Sequence, residues 1–147
     1  MEDNKRPGVG FGVMLLRDGR ILLGKRNSDP IKASSLLHGE GTWTMPGGKL
    51  DFHEGLEAGA RREVKEETGI EVGRLEIISV SNDIVPDNHF VTIGFFSKDF
   101  RGEPGVMEPE EIIEWRWFSI DNLPAPLFQP CIKIVSNYLN KKLYQDG

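Results

Sequence analysis

An α/β fold is predicted for this chain by three observations. Two apolar runs near the start are joined by Asp18 and Gly19, a tight-turn pair; a central segment repeats apolar residues every four positions and ends on glycine; and a last segment has helical spacing. With 147 residues the chain fits one domain, residues 1–147 with a core over about 7–143, and such a domain buries roughly 68–70% of its unfolded surface. A charged fraction of 28% against 38% hydrophobic suits a water-soluble protein. The net charge of −5 argues against binding polymeric nucleic acid, which needs basic patches to replace phosphate counterions. Cys131, a lone cysteine, excludes an internal disulfide and reads as a small packed residue. The charged start MEDNKRPG lacks the apolar centre of a leader, and no run reaches membrane-spanning length, so a cytoplasmic protein with no membrane partner is expected.

In chain order, residues 9–16 (VGFGVMLL) and 21–23 form two antiparallel strands across Asp18 and Gly19. Lys25 and Arg26 leave the second strand, where they either meet an anionic substrate or form a solvated edge. The polar stretch 27–42 is an unusually long loop, the kind that carries function. Pro46, Gly47 and Gly48 predict a sharp bend with exposed main-chain atoms. Asp51, three residues before Glu54, is a candidate N-cap, which starts the helix near 52–54. Leu56, Ala60 and Val64 make its buried stripe, and Gly69 caps its end in the left-handed region.

Residues 75–80 and 89–96 read as strands, with Asn82 and Asp83 marking a loop between them, and 101–109 as a surface loop. The alternating segment 114–118 (EWRWF) reads as a half-buried strand, 121–130 as irregular, and Ile132, Val135, Leu139 and Leu143 as the stripe of a C-terminal helix.

The chemistry sits in the central segment. Glu63, Glu66 and Glu67 are neighbours on one helix surface, where three like charges repel unless a cation lies among them. Gly48, five residues, Glu54, seven residues, Arg62-Glu63-Val64, one residue, Glu66-Glu67, one residue, Gly69-Ile70 resembles the Nudix box without a departure. A chance match to its seven fixed positions, at roughly one in twenty each, is expected about once in a billion windows. Met45-Pro46-Gly47-Gly48 and the 22–26 and 108–117 segments look like the MutT branch of that family, a likeness covering roughly residues 7–130.

The resemblance implies an α/β/α sandwich with a mixed central sheet, a catalytic loop-helix-loop and a C-terminal helix. It implies hydrolysis of a nucleoside diphosphate linked to a further group, with Mg²⁺ or Mn²⁺ as substitute. The first substrate expectation is a (d)NTP, ordinary or oxidised as in 8-oxo-dGTP, split to (d)NMP and pyrophosphate. Alternatives are ADP-ribose, a nucleotide sugar or a dinucleoside polyphosphate, and a non-catalytic nucleotide sensor, which should lack box carboxylates. By position, Glu63, Glu66 and Glu67 correspond to the metal-binding glutamates, one of them a candidate general base; Gly47 corresponds to a residue offering its carbonyl to the metal, and Glu54 with Arg62 to a structural ion pair. Carboxylates suit such hard cations. A small-molecule nucleotide is the expected partner, and a homodimer is possible because many relatives form one.

Substrate contacts are less specified. Gly48, Lys25, Arg26 and His38 border the expected pocket, and Phe90 and Trp117 are aromatic candidates beside Trp43, Trp115 and Phe128, each either stacking surface or core. Glu108, Glu110, Glu111 and Glu114 are expected to be exposed, although some relatives recruit one such carboxylate.

Overall fold

A computed structural model of the chain describes residues 5–33 and 37–145; residues 34–36 of the long loop, and 1–4 and 146–147 at the termini, lie outside it. The hairpin read from Asp18 and Gly19 forms: β1 (Gly8–Arg17) and β2 (Arg20–Arg26) pair antiparallel through a turn in which both residues take positive φ, 53° and 73°. Then come β3 (Trp43–Thr44), β4 (Gly47–Lys49), α1 (Leu56–Thr68), β5 (Glu71–Val72), β6 (Glu76–Val85), β7 (Asn88–Ser97), β8 (Phe100–Arg101), β9 (Ile112–Ser119) and α2 (Gln129–Asn140).

The central sheet runs β3-β2-β1-β7-β6, with β4 added on β1 and β9 on β2. It is mixed, because β1 pairs parallel with β7 and antiparallel with β2 and β4. Alternation along β1 builds the layers. Phe11, Val13 and Leu15 join Ala60 and Val64 of α1 in one apolar cluster, while Met14 joins Cys131, Ile134 and Val135 of α2 in the other. The result is an α/β/α sandwich, and Gly12 lets α2 approach closely: a Cβ there would lie 2.6 Å from Ile134 Cδ1. Among the described residues no helix is long and apolar enough to cross a membrane.

Four local expectations are corrected. First, α1 begins at Leu56 with Gly55 as N-cap and no side-chain cap, so Asp51 does not cap it. Residues 51–54 instead form a turn of their own, with the Asp51 N–H donating to Glu54 Oε1 (3.0 Å), the Glu54 N–H to Asp51 O (3.1 Å), and His53 at φ 67° breaking any helical path. Second, β6 runs straight through Asn82 and Asp83 to Val85, because strand pairing with β7 continues to a tight turn at residues 86 and 87. Third, the bend falls at Pro46 alone, and Gly47 and Gly48 stand in a strand; their smallness serves close approach, as a Cβ on Gly47 would fall 2.0 Å from Phe11 O. Fourth, of the stripe expected for α2 only Val135 is buried. Its buried side carries Cys131, Ile134 and Val135, while Ile132 and Leu139 are exposed and Leu143 lies past its end. Two stripes of helical spacing existed, and the contact of Cys131 Sγ with the Met45 N–H (3.3 Å) accompanies the one adopted.

Candidate catalytic site

Helix α1 lies over β4 because Ala60 and Val64 are fully buried and anchor its inner face. One turn apart, Glu63 and Glu67 then point at the β4 backbone. Glu67 Oε1 accepts the Gly47 N–H at 2.8 Å. A Cβ on Gly48 would stand 2.3 Å from the Glu63 carboxylate, so the second glycine leaves the space that Glu63 fills. Gly69 ends the helix at φ 82° with its N–H donating to Lys65 O, as its position in the sequence predicts.

Arg62 ties this helix to the preceding loop. Its Nε donates to Glu54 Oε2 (2.6 Å) and its Nη2 to Glu54 Oε1 (3.0 Å) and Lys49 O (3.2 Å), a two-pronged carboxylate pair of the strong kind. Nη1 donates to Glu63 Oε2 and Glu66 Oε1, both at 3.2 Å. The guanidinium holds the Glu54 carboxyl down at about 2, and Glu54 in turn raises Arg62. The pair expected from the sequence is therefore in contact.

The electrostatics at Glu67 run the other way. Burial pushes its carboxyl well above the ordinary carboxylate value; the Gly47 N–H opposes this, and the charges of Glu63, Glu108 and Glu111 add to it. Glu63 is raised too, chiefly by burial, against the pull of Arg62. Among the described residues no cationic side chain forms an ion pair with Glu67. Nor, as they stand, do three metal-ligating groups among the described residues converge on one point, because Glu66 is turned to Arg62. Glu66 is half-exposed and paired only with Arg62, so it can turn from that partner without unpacking the helix. A partly buried carboxylate with no ion pair, an adjacent second carboxylate and a third on the helix surface are a donor set of hard oxygens that fits Mg²⁺ or Mn²⁺.

Two carboxylates read as exposed, though among those offered as a recruited ligand, are partly buried near this site. Glu108 and Glu111 are partly buried in the turn leading into β9, and their charges act on Glu67. Burial also raises Glu108. Nothing local in the sequence marks them; the pairing of β9 on β2, with Ile112 opposite Arg26, brings their turn to the box.

The substrate candidates divide. Arg26, largely buried, donates to Ala33 O and lies 5.7 Å over the Phe128 ring. Burial lowers its pKa, while the charges of Glu111 and Glu67 raise it, so this guanidinium beside Phe128 also feels the box carboxylates. Phe128, with His38, Thr42, Asp83, Lys133 and Tyr144, lines a cleft of about 700 Å³ between β6, α2 and the long loop. His38 pairs with Asp87 at 2.9 Å, joining that loop to the β6–β7 turn. Lys25 sits 5.5 Å over the Trp43 ring. Phe90 and Trp117 are not in the cleft lining. Phe90 is buried against Gly8, and Trp117 stacks on Phe100 at 6.0 Å with Arg17 over it, because both lie on strand faces that turn to packing partners.

Residues 6–138 match the NUDIX domain family, which is most of the chain. The chain belongs to this family, the Nudix hydrolases. Over 138 residues it is 31% identical to the ADP-ribose pyrophosphatase of Methanocaldococcus jannaschii, covering 92% of this Nudix hydrolase and 75% of that protein. It is 32% identical over 114 residues to the oxidized purine nucleoside triphosphate hydrolase of Danio rerio, covering 76% of this chain and 66% of that one. Its fold matches the crystal structure of a MutT NUDIX hydrolase from Burkholderia pseudomallei with a TM-score of 0.81 at 36% identity, over 90% of this chain and 98% of the other.

Proposed function

We propose that this Nudix hydrolase splits a nucleoside triphosphate, ordinary or oxidised, into a nucleoside monophosphate and pyrophosphate, with Mg²⁺ held by Glu63, Glu66 and Glu67 and the carbonyl of Gly47. Mn²⁺ substitutes. The observation that carries the reading is the Glu67 carboxylate, partly buried beside Glu63 with a backbone N–H as its partner and no ion pair. An inward-facing carboxylate with no ion pair is costly, so the fold keeps it for a ligand that brings a cation. When bound, the divalent ion neutralises diphosphate charge and activates water for attack on phosphorus.

The chain's own residues do the rest. The pair of Arg62 with Glu54 holds α1 against the loop, so the box carboxylates keep their spacing. Glu63 and Glu67, both with carboxyls above the ordinary range, are the groups best able to take a proton from the attacking water near neutral pH. Arg26, beside Phe128 and within the field of the box carboxylates, faces the phosphates, while the cleft takes the base. At about 700 Å³ it has the size of a small-molecule site.

ADP-ribose is a second reading, favoured by the match to the Methanocaldococcus jannaschii pyrophosphatase over 92% of the chain. A panel of triphosphates and ADP-ribose with Mg²⁺, read by product identity, separates the two. Pyrophosphate from at least one triphosphate is expected. Products confined to AMP and ribose phosphate, with no triphosphate cleaved, would replace the first reading by the second.

A further inference from the structure

Among the described residues β6 is an outer strand of the central sheet: β7 pairs with one side of it and no strand with the other. At ten residues it is long enough for another chain to add a strand along it. In a strand the N–H and C=O of one residue point to the same side, and the side alternates with each residue. The Val80 N–H and the Asn82 carbonyl both find partners outside the sheet, so Val80, Asn82 and, by alternation, Ile84 turn their backbone outward. The Val80 N–H donates to Leu143 O (2.8 Å), in the segment 141–145 that follows α2, and Lys133 Nζ of α2 donates to Asn82 O (2.8 Å). One side chain holds that segment. Asn137, only 3% exposed, donates through Nδ2 to Leu143 O (3.2 Å) and to Ser79 Oγ of β6 (2.7 Å), and its Oδ1 accepts from Gln145 Nε2 (2.5 Å). The Asn137 carbonyl accepts the Lys142 N–H (3.0 Å) as Lys141, at φ 55°, turns the chain back. A buried amide with both donors and its acceptor engaged fixes one arrangement of its partners, because any other leaves polar atoms unpaired.

We infer that the segment 141–145, pinned by Asn137 and seconded by Lys133, is a strap that closes the β6 edge against strand pairing with a second copy of this chain. The edge is complementary to itself. Two β6 strands set antiparallel about Asn82 put Val80 opposite the partner's Ile84 at both ends and the two Asn82 side chains opposite each other. Ile84 is 65% exposed and Val80 half-buried, so such a pair covers apolar surface that the sheet leaves open. Edge strands are commonly protected by a charged side chain. At these three positions the sequence has none. The strap blocks the backbone instead: Leu143 O takes the Val80 N–H that the partner's Ile84 carbonyl would accept, and Lys133 takes the Asn82 carbonyl that would accept the partner's Asn82 N–H.

The test is amide hydrogen exchange and analytical ultracentrifugation on the full chain. In wild type the Val80 N–H should exchange at least about tenfold more slowly than the Ile84 N–H, which has no acceptor among the described residues. Equal exchange of the two overturns the inference, whatever the variants do. Asn137→Ala should speed exchange at Val80 toward that of Ile84 and add a dimer whose population rises with concentration. Combining it with Ile84→Lys should remove that dimer, since a charge at this exposed edge position blocks strand pairing without touching the core. A folded Asn137→Ala that sediments as wild type overturns the inference. So does a dimer that survives Ile84→Lys, which forms through another face, or wild-type association that Ile84→Lys abolishes, which means the edge is already open. Should Asn137→Ala fail to fold, Gln145→Ala at an exposed position takes its place. It should quicken exchange at Val80, and an unchanged rate there overturns the inference.

Discussion

Glu67 and Asp83 are both inward-facing carboxylates of the same small protein, Asp83 buried and Glu67 partly buried, and the fold treats them differently. Glu67, on the α1 side, has a backbone N–H and three further carboxylates whose charges act on it. Asp83, on the α2 side, has a serine hydroxyl and a lysine. A carboxylate left without an ion pair can take a cation from solution, whereas one supplied with its own ammonium is already neutralised. The contrast separates a carboxylate poised for a ligand from one that serves the packing of α2 on the sheet.

The sharpest way to break this contrast is Glu67→Gln. It should lower turnover by about 10²–10⁴-fold, the loss typical of a group that moves a proton or holds the reacting centre. It should also raise the melting temperature of the metal-free protein, because it removes an inward-facing charge with no ion pair. A melting temperature that falls, measured calorimetrically without divalent ions, would mean that Glu67 is a structural residue.

Next in size is Gly48→Ala. The new Cβ would meet the movable end of Glu63 rather than backbone, so the fold should survive while Glu63 is displaced. Turnover should fall about 10²-fold, the cost of misplacing a catalytic group by an ångström, and a circular dichroism spectrum should stay unchanged. Trp117→Leu probes the region that sequence reading had offered to the substrate. Loss of its stacking on Phe100 and of its contact with Arg17 should reduce stability in urea titrations, while turnover of the folded protein stays as in wild type.

The smallest effect is expected at the mouth of the cleft. His38 is held above its ordinary value of 6.5 by its hydrogen bond to Asp87, so its contribution to stability is complete below 6.5 and is lost as pH rises through the higher folded value. Asp87 is held below 3.8, so its contribution is present above 3.8 and lost as pH falls through the lower folded value. The pair acts between those limits, and both groups are exposed, so little stability rides on it. Asp87→Asn should return the His38 titration, followed by NMR, to its ordinary position and leave the melting temperature unmoved.

Legibility in the sequence follows the same division. The hairpin at Asp18 and Gly19, the stripe of Leu56, Ala60 and Val64, and the cap at Gly69 are set by neighbours a few positions apart, and all three stand in the structure where periodicity and turn chemistry place them. The contact of Glu54 with Arg62 was implied by the resemblance to the box, not by any local spacing, and the two side chains meet in the structure. Asp83 was not. An Asn-Asp pair signals a loop locally, and only the continued pairing of β6 with β7 and the cover of α2 turn it into a buried strand residue. Glu108 and Glu111 reach the box through the β2–β9 pairing, and the buried side of α2 is chosen by packing between two stripes of equal spacing. Long-range pairing decides each of these, and no window of the sequence contains it.

The central claim, that the box carboxylates form a divalent-ion site whose key member is Glu67, is tested most directly by titrating Mn²⁺ into the protein and following the free ion by electron paramagnetic resonance. Wild type should take up Mn²⁺ at a site that Glu67→Gln weakens at least about tenfold, as expected when a ligating carboxylate is lost, while Asp83→Asn leaves it unchanged. Equal Mn²⁺ binding by wild type and Glu67→Gln, both folded, would contradict it.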